Sequence, residues 1–251
     1  MHAYGYIEPA LHSIVDILAI GAHPDDIELG CGGMLIKAAR RGHNVYLYTA
    51  TRGGASGDPE SRARESQESA RFIGAKRLWL DDLPDTGLKA DAELISHIES
   101  RIDTVHPDVI LTHHWKDLHH DHRAIAAATL EAGRFDANIL EYEIPLTRDF
   151  EPKVYFDISD VIDDKLELIN IFKSQLKKHY LRSSAIKGLA QYRAFQSRLS
   201  GSVNYVETFD VAKLCLSSEF ALRKVDYEKS SVKVVSPDIS ELVSQFVPES
   251  G

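Results

Sequence analysis

Cysteine is almost absent from this chain, with only Cys31 and Cys215 in 251 residues. Two thiols make no disulfide framework. Lysine and arginine form no dense tract and the formal net charge is −9. The concentrated positive footprint that nucleic acid or an anionic membrane surface requires is therefore missing. No stretch approaches 18 consecutive apolar residues, and residues 1–10 show no basic start followed by an apolar run. The sequence thus predicts no membrane span, no secretory leader and a cytoplasmic protein. Repeats and low-complexity segments are lacking as well.

What is present is enough chain to bury well over half of its unfolded surface in one sizeable α/β domain, without help from a disulfide or a structural metal. Apolar runs alternate with helical patterns, the signature of βαβ units and a parallel sheet. The runs predict strands over 14–20, 45–50, 77–80 and 109–112, with a weaker one over 140–144. Helices are expected over 33–40, 59–73, 92–105 and 121–132; Gly42 and Gly74 stand where glycine stops a helix. Residues 1–145 therefore read as a Rossmann-like core, a mostly parallel sheet flanked by helices. Residues 146–251 read as a C-terminal helical plus short β extension of the same single domain. Its expected elements are a strand over 154–158, helices over 161–179 and 185–199, and a strand over 203–209, with the last fifteen or so residues frayed.

Two clusters carry the chemistry. Ala22-His23-Pro24-Asp25-Asp26 follows the first strand, placing an imidazole and two carboxylates within four residues. Adjacent like charges and a stripped imidazole are costly to bury without a cation or hydrogen-bond partners. The run His113-His114-Trp115-Lys116-Asp117-Leu118-His119-His120-Asp121-His122 follows the fourth strand. In an open parallel sheet both segments end at the carboxyl edge, where ligands bind near the switch in strand order. His23, one of the two aspartates and one late histidine make a His₂-carboxylate set suited to catalytic Zn²⁺ with an open position, or to Fe²⁺. Neither cluster contains cysteine, which argues against a closed structural zinc site. Lowering a water pKa from about 15.7 to about 7 amounts to about 12 kcal/mol, whereas a positioned base contributes about 10²- to 10⁴-fold. A metal in this place would dominate the rate.

At these residues the chain resembles the PIG-L/LmbE-like zinc-dependent N-acetylglucosaminyl deacetylases. The resemblance rests on Ala22 to Asp26 with Glu28-Leu29-Gly30 and Gly32-Gly33, and on Thr51-Arg52-Gly53-Gly54. It continues in Arg62-x-x-Glu65 with Ile73-Gly74, in Leu83-Pro84-Asp85, and in His119-x-Asp121-His122-Arg123-Ala124. Weaker echoes reach Ser174-Gln175 and Tyr205-x-Glu207-x-Phe209. It implies that His23, Asp26 and His122 are metal ligands and that Asp25 is the general base toward a metal-held water. It further implies that His119 stabilises the oxyanion or protonates the leaving amine, that Asp121 orients a histidine, and that Arg62 contacts a substrate hydroxyl. The implied substrate is a small N-acetylated sugar or glycoconjugate, and relatives form trimers or hexamers. One departure is His120, where the family usually has proline; helical spacing favours His119 and His122 over it.

Blander readings stand beside these. Asp26 could merely cap the next helix, Arg62 could pair with Glu65, His113 and His114 could simply line a pocket, and Asp85 could belong to a turn. Trp115 could be a sugar-stacking surface or a half-buried anchor. Gly30-Cys31-Gly32-Gly33 invites a nucleotide-binding alternative. The G-x-G-x-x-G spacing fails at Leu35, however, and Asp25 and Asp26 would repel a pyrophosphate. The glycines are read as allowing close helix–strand packing beneath the metal loop.

Overall fold

The computed structural model describes residues 14–135, 138–199 and 203–215. The frayed end expected from the sequence lies outside the described residues. Buried apolar runs make the central strands: β1 (Asp16–Gly21), β2 (Asn44–Thr49), β3 (Arg77–Leu80), β4 (Val109–His113) and β5 (Asn138–Tyr142). These five are parallel, in the order β3-β2-β1-β4-β5. Two antiparallel pairings then add β7 (Val206–Lys213) to β5 and β6 (Val154–Asp157) to β7. The result is the mostly parallel α/β sheet the sequence predicts, and the order reverses between β1 and β4.

The helices α1 (Asp26–Arg40), α2 (Pro59–Ile73), α3 (Ala92–Val105), α4 (His120–Ala132), α5 (Ile162–Asn170) and α6 (Ser183–Ser197) cover the sheet. Local chemistry fixes their ends. Asp58 caps α2 by accepting the Ser61 amide at 2.8 Å, Pro59 occupies its first turn, and Gly74 closes it at φ 84. Cores lie on both faces, one around Leu18, Ile20, Ile98 and Ile125 and the other around Leu35, Leu47, Leu168 and Phe209.

Two helices differ from expectation. The first begins at Asp26 rather than residue 33, because the glycine run is itself helical. It packs so closely that a Cβ on Gly30 would run into the Tyr142 ring and one on Gly33 would stand 2.8 Å from Ile158, and the helix kinks at Cys31. Close packing is therefore what these glycines serve. The other, α5, stops at Asn170 instead of 179; residues 171–178 form turns that lead to a short 3₁₀ turn, His179–Leu181. Among the described residues no helix is long and apolar enough to cross a membrane.

Candidate functional site

The two histidine segments meet at the strand-order switch. The loop after β1 is drawn into place by its own residues: the His23 amide donates to Asp26 Oδ2 at 2.8 Å, and the Ala22 amide donates to His113 Nε2 at 3.2 Å. Asp25 sits at φ 101 and ψ −20, a left-handed backbone that costs a non-glycine residue energy and that clusters at functional sites. Opposite, β4 delivers His113, and the start of α4 delivers His119 as its N-cap and His122 one turn in.

Donor atoms of three residues converge, with each oxygen of Asp26 facing a different imidazole. His23 Nδ1 lies 3.2 Å from Asp26 Oδ2, His122 Nε2 lies 3.4 Å from Asp26 Oδ1, and the two ring nitrogens are 3.3 Å apart. Donors held at about 2.0–2.1 Å around a tetrahedral Zn²⁺ stand about 3.3–3.4 Å from one another. The outer nitrogens of both rings face carboxylates: Asp121 Oδ2 is 3.0 Å from His23 Nε2, and Asp117 Oδ1 is 3.0 Å from His122 Nδ1. Carboxylates in that position orient metal-ligating imidazoles. His113, stacked on His122 with centroids 3.9 Å apart, also approaches Asp26 at 3.2 Å. Its Nε2 already accepts the Ala22 amide, and its Nδ1 has no partner. Among the described residues, two overlapping groups here bring one donor atom from each member within 4.8 Å of the others, His23 with His119 and His122, and Asp26 with His113 and His122, so His23, Asp26 and His122 all belong to sets that could hold a cation.

Electrostatics agree. Burial works against a charged His23, yet the carboxylates of Asp121, Asp26 and Asp85 overcome it and hold its pKa up at about 11. For His122, Asp26 and Asp117 likewise prevail over burial, at about 9. Burial raises Asp26, but the imidazoles of His122 and His113 bring it well below the ordinary carboxylate range. The carboxylates thus demand positive charge at the two rings. Asp25 behaves oppositely: burial, reinforced by Asp26, pushes it up to about 7 against the opposing pull of Arg62, Lys178 and His23. Its Oδ2 has no partner.

His119 lies edge-on to His23 with centroids 4.8 Å apart, and its Nδ1 accepts the Asp121 amide at 3.2 Å. Burial, together with the His122 and His23 rings, lowers its pKa. The neutral ring then carries its proton on Nε2. His120 points elsewhere, placing Nε2 2.8 Å from the Thr86 carbonyl. His119 is the N-cap of α4 and precedes the helix, so helical spacing does not relate it to His122. Asp121 is fully buried and also accepts the amides of Thr86 and Leu88, at 2.8 and 3.0 Å.

Arg62 lines the site cavity and does not pair with Glu65. It is 1% exposed, and its terminal nitrogens donate to the carbonyls of Gly53 (2.9 Å) and Pro24 (2.6 Å), to Ser56 Oγ and to Asp25 Oδ1 (3.3 Å). It clamps the β1 loop to the Gly53 loop. Glu65 instead accepts from the Ser174 amide and hydroxyl at 2.9 and 2.6 Å. Trp115 is 55% exposed, near His114 and Lys116, and does not line the site cavity. That cavity, of about 230 Å³, is walled by His23, Asp25, Asp26, His119 and His122 together with Ser56, Asp85, Lys178 and Tyr180. Another of about 270 Å³, lined by Ile186, Leu189 and Ala190 of α6, contains none of these groups.

Sequence reasoning passed over four contributors. Asp85, read as a turn, lies 3.0 Å from His23 Nε2. Asp117, inside the late cluster, could have been found as the remaining carboxylate in a run of ligand types. Lys178 and Tyr180 carry no sequence signal, because they reach the cavity only through the turns after α5.

Fold and site together define a class: a doubly wound α/β protein with histidines and aspartates that could bind a metal gathered at the switch point of its sheet. The PIG-L model, GlcNAc-PI de-N-acetylase, matches residues 18–133. The uncharacterized deacetylase YaiS of Escherichia coli is 34% identical over 171 residues, which span 65% of this chain and 89% of YaiS. Diacetylchitobiose deacetylase of Thermococcus kodakarensis is 26% identical over 214 residues, covering 72% and 80% respectively. Among solved structures, the conserved protein TT1542 of Thermus thermophilus aligns with a TM-score of 0.72 at 26% identity, over 83% of this chain and 99% of that one. The chain belongs to the PIG-L family, and its activity class is that of a deacetylase, a hydrolase.

Proposed function

We propose that the protein is a metal-dependent N-deacetylase acting on an N-acetylated amino sugar or glycoconjugate of the N-acetylglucosamine type. One observation carries the reading: two imidazole nitrogens 3.3 Å apart, each 3.2–3.4 Å from a different oxygen of Asp26, share a cavity with a buried carboxylate oxygen, Asp25 Oδ2, that has no partner. His23, Asp26 and His122 would hold the cation, a donor set of two imidazoles and a carboxylate that suits Zn²⁺, with Fe²⁺ also suited to such ligands. A divalent ion so placed supplies a Lewis acid for an acetamide carbonyl and an acidifying centre for a water.

The chain's own groups do the rest. Asp25, with its affinity for protons raised to about 7, takes a proton from the attacking water. The Arg62 clamp holds that carboxylate by Oδ1 and leaves Oδ2 for the work. His119 donates from Nε2 to the developing oxyanion or to the leaving nitrogen. Asp121 and Asp117 fix the orientation of His23 and His122. The products are acetate and a free amine. The kinship with diacetylchitobiose deacetylase supports an amino-sugar substrate.

The test is a panel of N-acetylated sugars and glycosides offered to zinc-reconstituted protein, with acetate and primary amine both quantified. Stoichiometric release of the two from an amino sugar is the expected result. Protein that binds zinc yet releases neither from any member of the panel overturns the proposal.

A further inference from the structure

A second cluster of metal-ligand type lies apart from the site just described. His114 Nε2 stands 3.7 Å from Glu141 Oε2 and 3.6 Å from Asp210 Oδ2, and one donor atom from each residue lies within 4.8 Å of the others. Strand register builds it. Glu141 of β5 pairs with Thr112 of β4 on one side and with Asp210 of β7 on the other, and His114 is the next position on the Thr112 face. His114 and Glu141 are each 2% exposed.

Two features mark it as more than an acidic patch. Glu141 Oε1 is buried without a hydrogen-bond partner, which a well-packed interior rarely tolerates. Burial and the Asp210 carboxylate push Glu141 up to about 7, although the Trp115 amide and Lys153 pull the other way. The nearest counter-charge is Lys153, whose ammonium pairs with Asp210 from a side chain that is itself 59% exposed. A flexible surface lysine is a replaceable cation.

We propose that His114, Glu141 and Asp210 form a second binding site for a divalent transition-metal ion, distinct from the one at His23, Asp26 and His122. One imidazole and two carboxylates suit Zn²⁺, Mn²⁺ or Co²⁺. Coordination through His114 Nε2 moves the ring proton to Nδ1 and gives up the 3.2 Å bond from the Lys116 amide. Lys153 swings away from Asp210. The ion would tie the end of β4 and the middle of β7 to β5, with His114 three residues before Asp117, whose carboxylate faces His122. The inference is independent of the deacetylase reading.

The experiment uses the full chain in the H23A/H122A background, where the first donor set is gone, with Zn²⁺ as the probe. Equilibrium dialysis and thermal unfolding are read together, since an ion that binds only the folded state raises Tm. The expected result is one Zn²⁺ per chain with a zinc-dependent rise in Tm, both abolished by adding Glu141→Gln. Adding Lys153→Ala instead should tighten binding several-fold, because a competing cation is removed. A purely structural ion pair predicts no gain from Lys153→Ala. Zinc binding unaltered by either added substitution, or none in the background protein, overturns the proposal.

Discussion

Two buried charge clusters in this molecule look alike in composition and differ in how completely they are partnered. Where the C-terminal elements meet α1, Lys165 Nζ donates to Glu207 Oε1 at 2.6 Å and to the Leu29 carbonyl at 2.7 Å. Glu207 also accepts the amides of Gly33 and Met34 at 2.8 and 2.7 Å, just past the kink in α1. Every hydrogen bond there joins one element to another, and the cluster is architecture. At the switch point, by contrast, carboxylates crowd two imidazoles, and Asp25 keeps an oxygen without a partner. A fully satisfied buried pair becomes costly only when one partner is removed; buried charge left short of a partner awaits a ligand.

The sharpest break between the two clusters comes from His122→Ala or from chelation. Either should abolish acetate release and empty the site, read by metal content, while the fold survives in circular dichroism. Lys165→Met should do the reverse. Leaving Glu207 buried without its cation costs about 3 kcal/mol in urea unfolding, with turnover per folded molecule retained. A Lys165→Met protein as stable as the parent would erase the distinction drawn here. Asp117→Asn is milder. Weakening an orienting carboxylate should reduce zinc affinity about 10- to 100-fold in competition with a chromophoric chelator, and unchanged affinity would remove Asp117 from the site.

The pH profile comes next. Because burial raises Asp25 to about 7, its base form is lost as pH falls, so kcat/KM should rise with pH through about 7 and level above it. The smallest effect belongs to Arg40→Ala. The Arg40 hydrogen bonds hold Asp164 below the ordinary carboxylate value. Their contribution is therefore present at neutral pH and fades as pH falls through the lowered value. On a half-exposed pair it is worth under about 1 kcal/mol and is screened by salt.

The sequence made the sheet legible wherever one periodicity ruled. β3 and the helices over 59–73 and 92–105 stand where predicted. The start of α1 was hidden because glycines that normally interrupt a helix are here required by the close approach of Tyr142 and Ile158. The end of α5 was hidden because residues 171–178 remain amphipathic while turning over the site. Residue types also located both histidine clusters. They could not tell that Asp85, from the loop after β3, reaches His23 Nε2 at 3.0 Å beside Asp121 of α4. Nor could they show that Arg62 is buried as a clamp, since its four donors find their acceptors only once the Pro24 and Gly53 loops are folded against each other.

The most direct test is turnover by Asp25→Asn measured beside its zinc content. The account predicts metal bound as in the parent protein and kcat lower by about 100-fold or more. A variant that keeps its zinc and turns over within a few-fold of the parent would contradict it.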